Sequence, residues 1–172
     1  MSLFDAKALQ SITLAVLAAG VSLLASCQVR PLYSGDSGMR DSLASIDFSE
    51  ADSRVELEVR NNLVFLAAGG AGEPARPDYA VDLKVTSRVI GVLLEMSSDT
   101  ARAGRVEVSA DYTLKRAGTD EVLKSGSRSA VALVDFPGQE FARLRAIHDA
   151  ENRAARELAE LIRADLAAAL GR

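Results

Sequence analysis

One cysteine, one histidine and no tryptophan occur in 172 residues. With Cys27 alone there is no intrachain disulfide, and with His148 as the one imidazole there is neither a Cys/His zinc set nor a histidine pair for a catalytic metal. A glycine-rich phosphate loop and a Gly-x-Ser-x-Gly elbow are absent too. The chain therefore reads as a non-enzyme without a cofactor. Positive charge is not in excess either: 20 Lys and Arg stand against 24 Asp and Glu, for a net charge of −4. A nucleic-acid surface needs clustered cations that displace counterions, so nucleic acid is not expected as a partner. Long apolar runs are also missing. The uncharged stretch Ile12–Leu24 (ITLAVLAAGVSLL) has 13 residues, short of the ~20 that a membrane-spanning helix needs.

What is present begins with that short run. Lys7 precedes it and small residues end it, which is the order of a secretory signal. It leads into Leu24-Ala25-Ser26-Cys27, an aliphatic residue and two small ones before a cysteine. This segment resembles the lipobox of bacterial prolipoproteins. The resemblance implies cleavage before Cys27, a diacylglyceryl group on its thiol and acylation of its new N-terminus, palmitate being a typical chain. The expected organisation is a signal peptide over 1–26, a lipidated tether over 27–41 and a folded domain over 42–172. Gln28 rather than Asp after the cysteine is, in such lipoproteins, compatible with transfer to the outer membrane, at its periplasmic face. Several acyl chains at about 0.8 kcal/mol per buried methylene hold a protein there without further help from the domain.

Periodicity supplies the domain's elements. Pro31, Gly35 and Gly38 among polar residues read as tether. Leu43–Phe48 reads as a short strand with Ala44, Ile46 and Phe48 on one face. Glu50–Leu66 has helical apolar spacings, with Ser49 or Asp52 as its cap. Gly69, Gly70, Gly72, Pro74 and Pro77 then enforce a loop. From Tyr79 the period is two: Tyr79, Val81, Leu83 and Val85 alternate with Asp82, Lys84 and Thr86, and apolar residues continue to Leu94. Arg105–Arg116 alternates most clearly. After the turn composition Ala117–Asp120, Glu121–Val134 returns as its hairpin partner, with Leu123, Val131 and Leu133 assigned to one face. Beyond Pro137-Gly138 a long amphipathic helix runs from Gln139 to Leu170, its apolar stripe being Leu144, Ile147, Ala154, Leu158, Leu161, Ile162 and Leu166. Asp149/Arg153 and Arg156/Glu160 are spaced for ion pairs on its other side. The expected fold is α+β: a two-layer sandwich, with two helices on one face of an about four-stranded, largely antiparallel sheet whose other face is polar.

The order of these parts carries a resemblance. Behind the lipobox come Arg30-Pro31-Leu32-Tyr33, a helix containing RVELEVRNNL, a hairpin with DYTL and VLKSGSRSAV, and the final HDAENRAARELAELI. Together they resemble the LptE family of lipopolysaccharide-assembly lipoproteins, and the RPLY segment and Ala-rich last helix resemble its alphaproteobacterial members. The resemblance implies the same sandwich and a non-enzymatic role. In it, the protein plugs the LptD barrel of the outer membrane, helps that barrel assemble and serves delivery of lipopolysaccharide to the outer leaflet. An LptD-like β-barrel, lipopolysaccharide and the outer membrane are thus the implied partners. An auxiliary lipoprotein of an envelope ABC lipid transporter has the same small-domain-on-a-tether design and stands as the alternative.

Anionic phosphates are met by Lys and Arg. Lys84, Lys115, Arg116, Lys124 and Arg128, on or beside the strands, are the candidate contacts to lipopolysaccharide or partner, and Arg102 in the Ser97–Gly104 loop is a sixth. The same cations also serve as gatekeepers against edge pairing, with Glu107, Asp111 and Glu121 interspersed. His148 beside Asp149 lies on a helix with no third group to hold it, so no hydrolytic site is assigned there.

Overall fold

In a computed structural model, residues 37–95, 100–119 and 121–171 are described. The apolar run Ile12–Leu24, the lipobox with Cys27, the RPLY segment, Ser97 to Asp99 in the expected loop and Asp120 in the turn lie outside the described residues. The elements are α1 (Ser37–Ala44), β1 (Ile46–Phe48), α2 (Arg54–Ala68), β2 (Tyr79–Glu95), β3 (Thr100–Arg116), β4 (Val122–Asp135) and α3 (Glu140–Leu170). All belong to one unit, Gly35–Arg172. The fold is α+β: a four-stranded sheet in the order β1-β2-β3-β4, with β1 parallel to β2 and the other pairs antiparallel. On one face, α2 packs on β1 and β2 and α3 on β3 and β4, while α1 packs on both of those helices.

α1 is the third helix, beyond the two expected from periodicity. It occupies the end of the segment read as tether and takes Leu43 and Ala44 out of the strand, leaving β1 only three residues. Gly38 and two serines hide it from a propensity reading. Met39 and Leu43, four apart, lie on one helical face and pack into the core, and it is such packing rather than propensity that sustains a helix this short.

α2 starts later than expected. Its cap is Ser53, whose Oγ accepts from the Glu56 N–H at 3.2 Å, rather than Ser49 or Asp52. Gly69 ends it in the left-handed region, at φ 60°, where a residue without Cβ is unstrained. The capping glutamate also serves the sheet. Because β1 stops at Phe48, the β2 N–H groups beyond it that point to that side have no strand partner. Ser49 Oγ accepts from Leu83 N–H at 3.0 Å and Glu56 Oε1 from Val85 N–H at 3.2 Å, while Glu56 Oε2 accepts from Asp52 N–H at 3.1 Å. A carboxylate as buried as Glu56 is tolerable because backbone donors surround it.

β3 starts earlier than its sequence pattern, at Thr100 rather than Arg105. β2 and β3 pair as far as Glu95↔Thr100, with register irregularities around Leu93, whereas β4 joins β3 only from Ala103↔Asp135 onward. Part of the expected Ser97–Gly104 loop is therefore a two-stranded ribbon. The core face of β3 carries Val106, Val108, Ala110, Tyr112 and Leu114, as its alternation indicated. On β4 the expected face is reversed at the far end: Ala130, Ala132 and Val134 are buried, and Val131 (45% exposed) and Leu133 (71%) point outward. The outer sheet face is thus polar over most of its length but apolar along this part of β4.

α3 covers β3 and β4 with Ala150, Ala154, Ala155, Leu158, Ala159, Ile162, Leu166 and Ala167. Small residues of helix and strand are buried together, and Leu144 and Leu161 of the expected stripe fall outside the contact. The Asp149–Arg153 pair forms, at 3.0 Å. Arg153 also donates to the outward Leu133 carbonyl at 2.9 Å, occupying one acceptor on the edge of the sheet. Arg54 of α2 bonds Glu151 and, at 2.9 Å, Asn152 of α3, which ties the two larger helices together.

Candidate functional site

The cations singled out from the sequence do not gather into one patch. Lys84 of β2 is opposite Asp111 of β3, and both lie in the alternation that faces away from the helices. Lys115 is on that outer face too, its Nζ 2.6 Å from Asp82 Oδ2. Arg116 sits beside the β3–β4 turn, with Nε 2.9 Å from Glu121 Oε2. Lys124 and Arg128 are opposite Leu114 and Ala110, whose side chains are buried under the helices. They therefore lie on the helix side of β4. Arg102 is at the other end of the sheet, where its carbonyl accepts from Phe136 N–H at 2.8 Å. Register separates residues that sequence proximity had grouped.

Two arrangements result. On the outer face an open groove of about 660 Å³ is lined by Glu50, Asp52, Asp82, Asp111 and Lys84. Its charge is mainly negative, so this half of the face is a poor match for phosphate and a good match for a hydrated polar surface. On the helix side, Arg128 grips Asp165 of α3 with two nitrogens, Nε and Nη2, each 2.8 Å from a carboxylate oxygen. That is the bidentate, charge-assisted geometry. Tyr112 adds its hydroxyl to Asp165 Oδ2 at 2.5 Å.

The electrostatics follow from this clamp. Burial pushes the Tyr112 hydroxyl well above the usual tyrosine range, and its bond to Asp165 raises it further. For Asp165, burial favours the neutral acid, but the bonds from Arg128 and Tyr112 outweigh it and hold the carboxyl below the ordinary aspartate value. The tyrosine ring passes over Gly126, its partner across the strands. A Cβ there would come 2.5 Å from the Tyr112 hydroxyl oxygen, so glycine at 126 is what lets the ring reach Asp165. The clamp binds α3 to the sheet and offers no nucleophile.

Asp165 and Tyr112 lie outside the candidate set that the sequence offers, and no local signal marks them. Asp165 lies 37 positions from Arg128 and 53 from Tyr112. Glu56 had a signal in the Ser53-x-x-Glu56 spacing of a capping box. His148 is exposed on α3. Among the described residues, no group of three or more His, Cys, Asp or Glu is placed to hold a metal ion, and no helix is long and apolar enough to cross a membrane.

Comparison with known proteins gives this scaffold relatives. A family model described as LptE, lipopolysaccharide-assembly, matches residues 42–166. A crystal structure from Caulobacter crescentus CB15, assigned as a lipoprotein, is similar with a TM-score of 0.68 at 25% identity, covering 80% of this chain and 98% of that one. A minor lipoprotein from Acinetobacter baumannii shares the fold at a TM-score of 0.51 and 12% identity, covering 72% and 88%. The rare lipoprotein B of Shewanella oneidensis does so at 0.50 and 13%, covering 72% and 92%. No curated protein matches the chain.

Proposed function

The chain belongs to the LptE family of lipopolysaccharide assembly, a non-enzymatic family, and from that premise we propose that it is the lipid-anchored plug of an LptD-like barrel in the outer membrane. In this reading it helps the barrel assemble and supports delivery of lipopolysaccharide to the outer leaflet. The observation that carries it is the family match across residues 42–166, which runs from the end of α1 to the last turns of α3. Physical fit supports it. A plug needs a rigid small sandwich, and the outer sheet face with its groove of carboxylates suits a water-filled lumen. In this reading Cys27 carries the acyl chains, and Gln28 after it suits a place at the periplasmic leaflet of the outer membrane. Lipopolysaccharide or partner contacts are assigned to Lys84, Arg102, Lys115, Arg116, Lys124 and Arg128, which lie on two faces and at both ends of the sheet, so one headgroup meets only a subset.

The test is affinity capture of C-terminally tagged protein from detergent-solubilised outer membranes, with the largest stoichiometric partner identified by mass spectrometry. A roughly equimolar LptD-like barrel is expected. Recovery of inner-membrane transporter subunits in its place would overturn the plug reading. Intact mass of the extracted protein is expected to show a chain beginning at lipidated Cys27, and Cys27→Ser is expected to leave the precursor uncleaved.

A further inference from the structure

We draw no further inference here: the strongest candidate, the outer edge of β4 where Val131 and Leu133 stand exposed beside the carbonyl that Arg153 occupies, carries nothing because nothing in the structure shows what covers it.

Discussion

β3 and β4 are neighbours in one hairpin and lie under the same helix, yet the residues they bury differ in size. β3 turns its larger apolar side chains inward, Val106, Val108, Tyr112 and Leu114. β4 turns Ala130, Ala132 and Val134 inward, Ala130 opposite Val108 and Ala132 opposite Val106, and leaves Val131 and Leu133 exposed. The difference follows from position. β3 is a central strand with room between the helices for branched and aromatic side chains. β4 is an edge strand, and where the alanine-rich face of α3 comes down on it Ala130 and Ala132 fit beneath, while Val134 is buried opposite Gly104. Which of two apolar phases goes inward is decided by size against the opposing surface, a quantity that hydrophobicity does not report.

The largest effect that tests this contrast is on the β3 side. Leu114 is fully buried, and Leu114→Ala removes its packing and leaves a cavity. A loss of about 2–5 kcal/mol is expected, read as a lower urea midpoint with unchanged slope. A loss under about 1 kcal/mol would mean that the β3 core collapses around the gap, and the contrast between room and tight contact would fail.

On β4 the complementary change is enlargement. Ala132→Leu adds volume where α3 lies against the strand, and a cost of about 1–3 kcal/mol is expected from displaced side chains. If the variant is as stable as its parent, the helix does not press on β4 and the alanines have another explanation.

This contrast also marks where sequence reading succeeds. β3 was legible because its outward positions, Glu107, Ser109, Asp111, Thr113 and Lys115, are polar, so only one phase was apolar. The segment Ala130–Val134 is apolar in both phases, and hydrophobicity alone points Val131 and Leu133 inward; the helix surface that favours the other phase is not written in the segment. α1 was illegible for a related reason: its two core residues, Met39 and Leu43, have meaning only once α2 and α3 are in place. At the candidate site, individual cations were visible, but the face each occupies depends on strand register, including an irregularity at Leu114/Lys115. Asp165 enters the cluster through a 31-residue helix whose placement no local pattern gives.

The clamp between β4 and α3 predicts a smaller effect with a pH signature. Tyr112→Phe removes one hydrogen bond from Asp165 and is expected to cost about 1 kcal/mol. Because the folded carboxyl sits below its unfolded value of about 3.9, the stabilisation is complete above that pH and is lost as pH falls through the folded value. Asp165→Asn is therefore expected to flatten the dependence of melting temperature on pH below about pH 4, with Arg128 left without its anion at all pH values. An unaltered acid slope in Asp165→Asn would show that Asp165 does not contribute to acid stability.

The smallest expected effect is the sharpest check on the comparison. Leu133 is 71% exposed, and Arg153 bonds its carbonyl rather than its side chain. Leu133→Ser keeps that carbonyl, removes only side-chain atoms already in water, and is expected to change stability by no more than about 0.5 kcal/mol. Set beside Ala132→Leu, it inverts the usual hydrophobic rule on adjacent residues: adding apolar volume harms and deleting it does not. A loss above about 1 kcal/mol on Leu133→Ser, measured by urea unfolding, would place Leu133 inside and restore the assignment that strand hydrophobicity alone suggests.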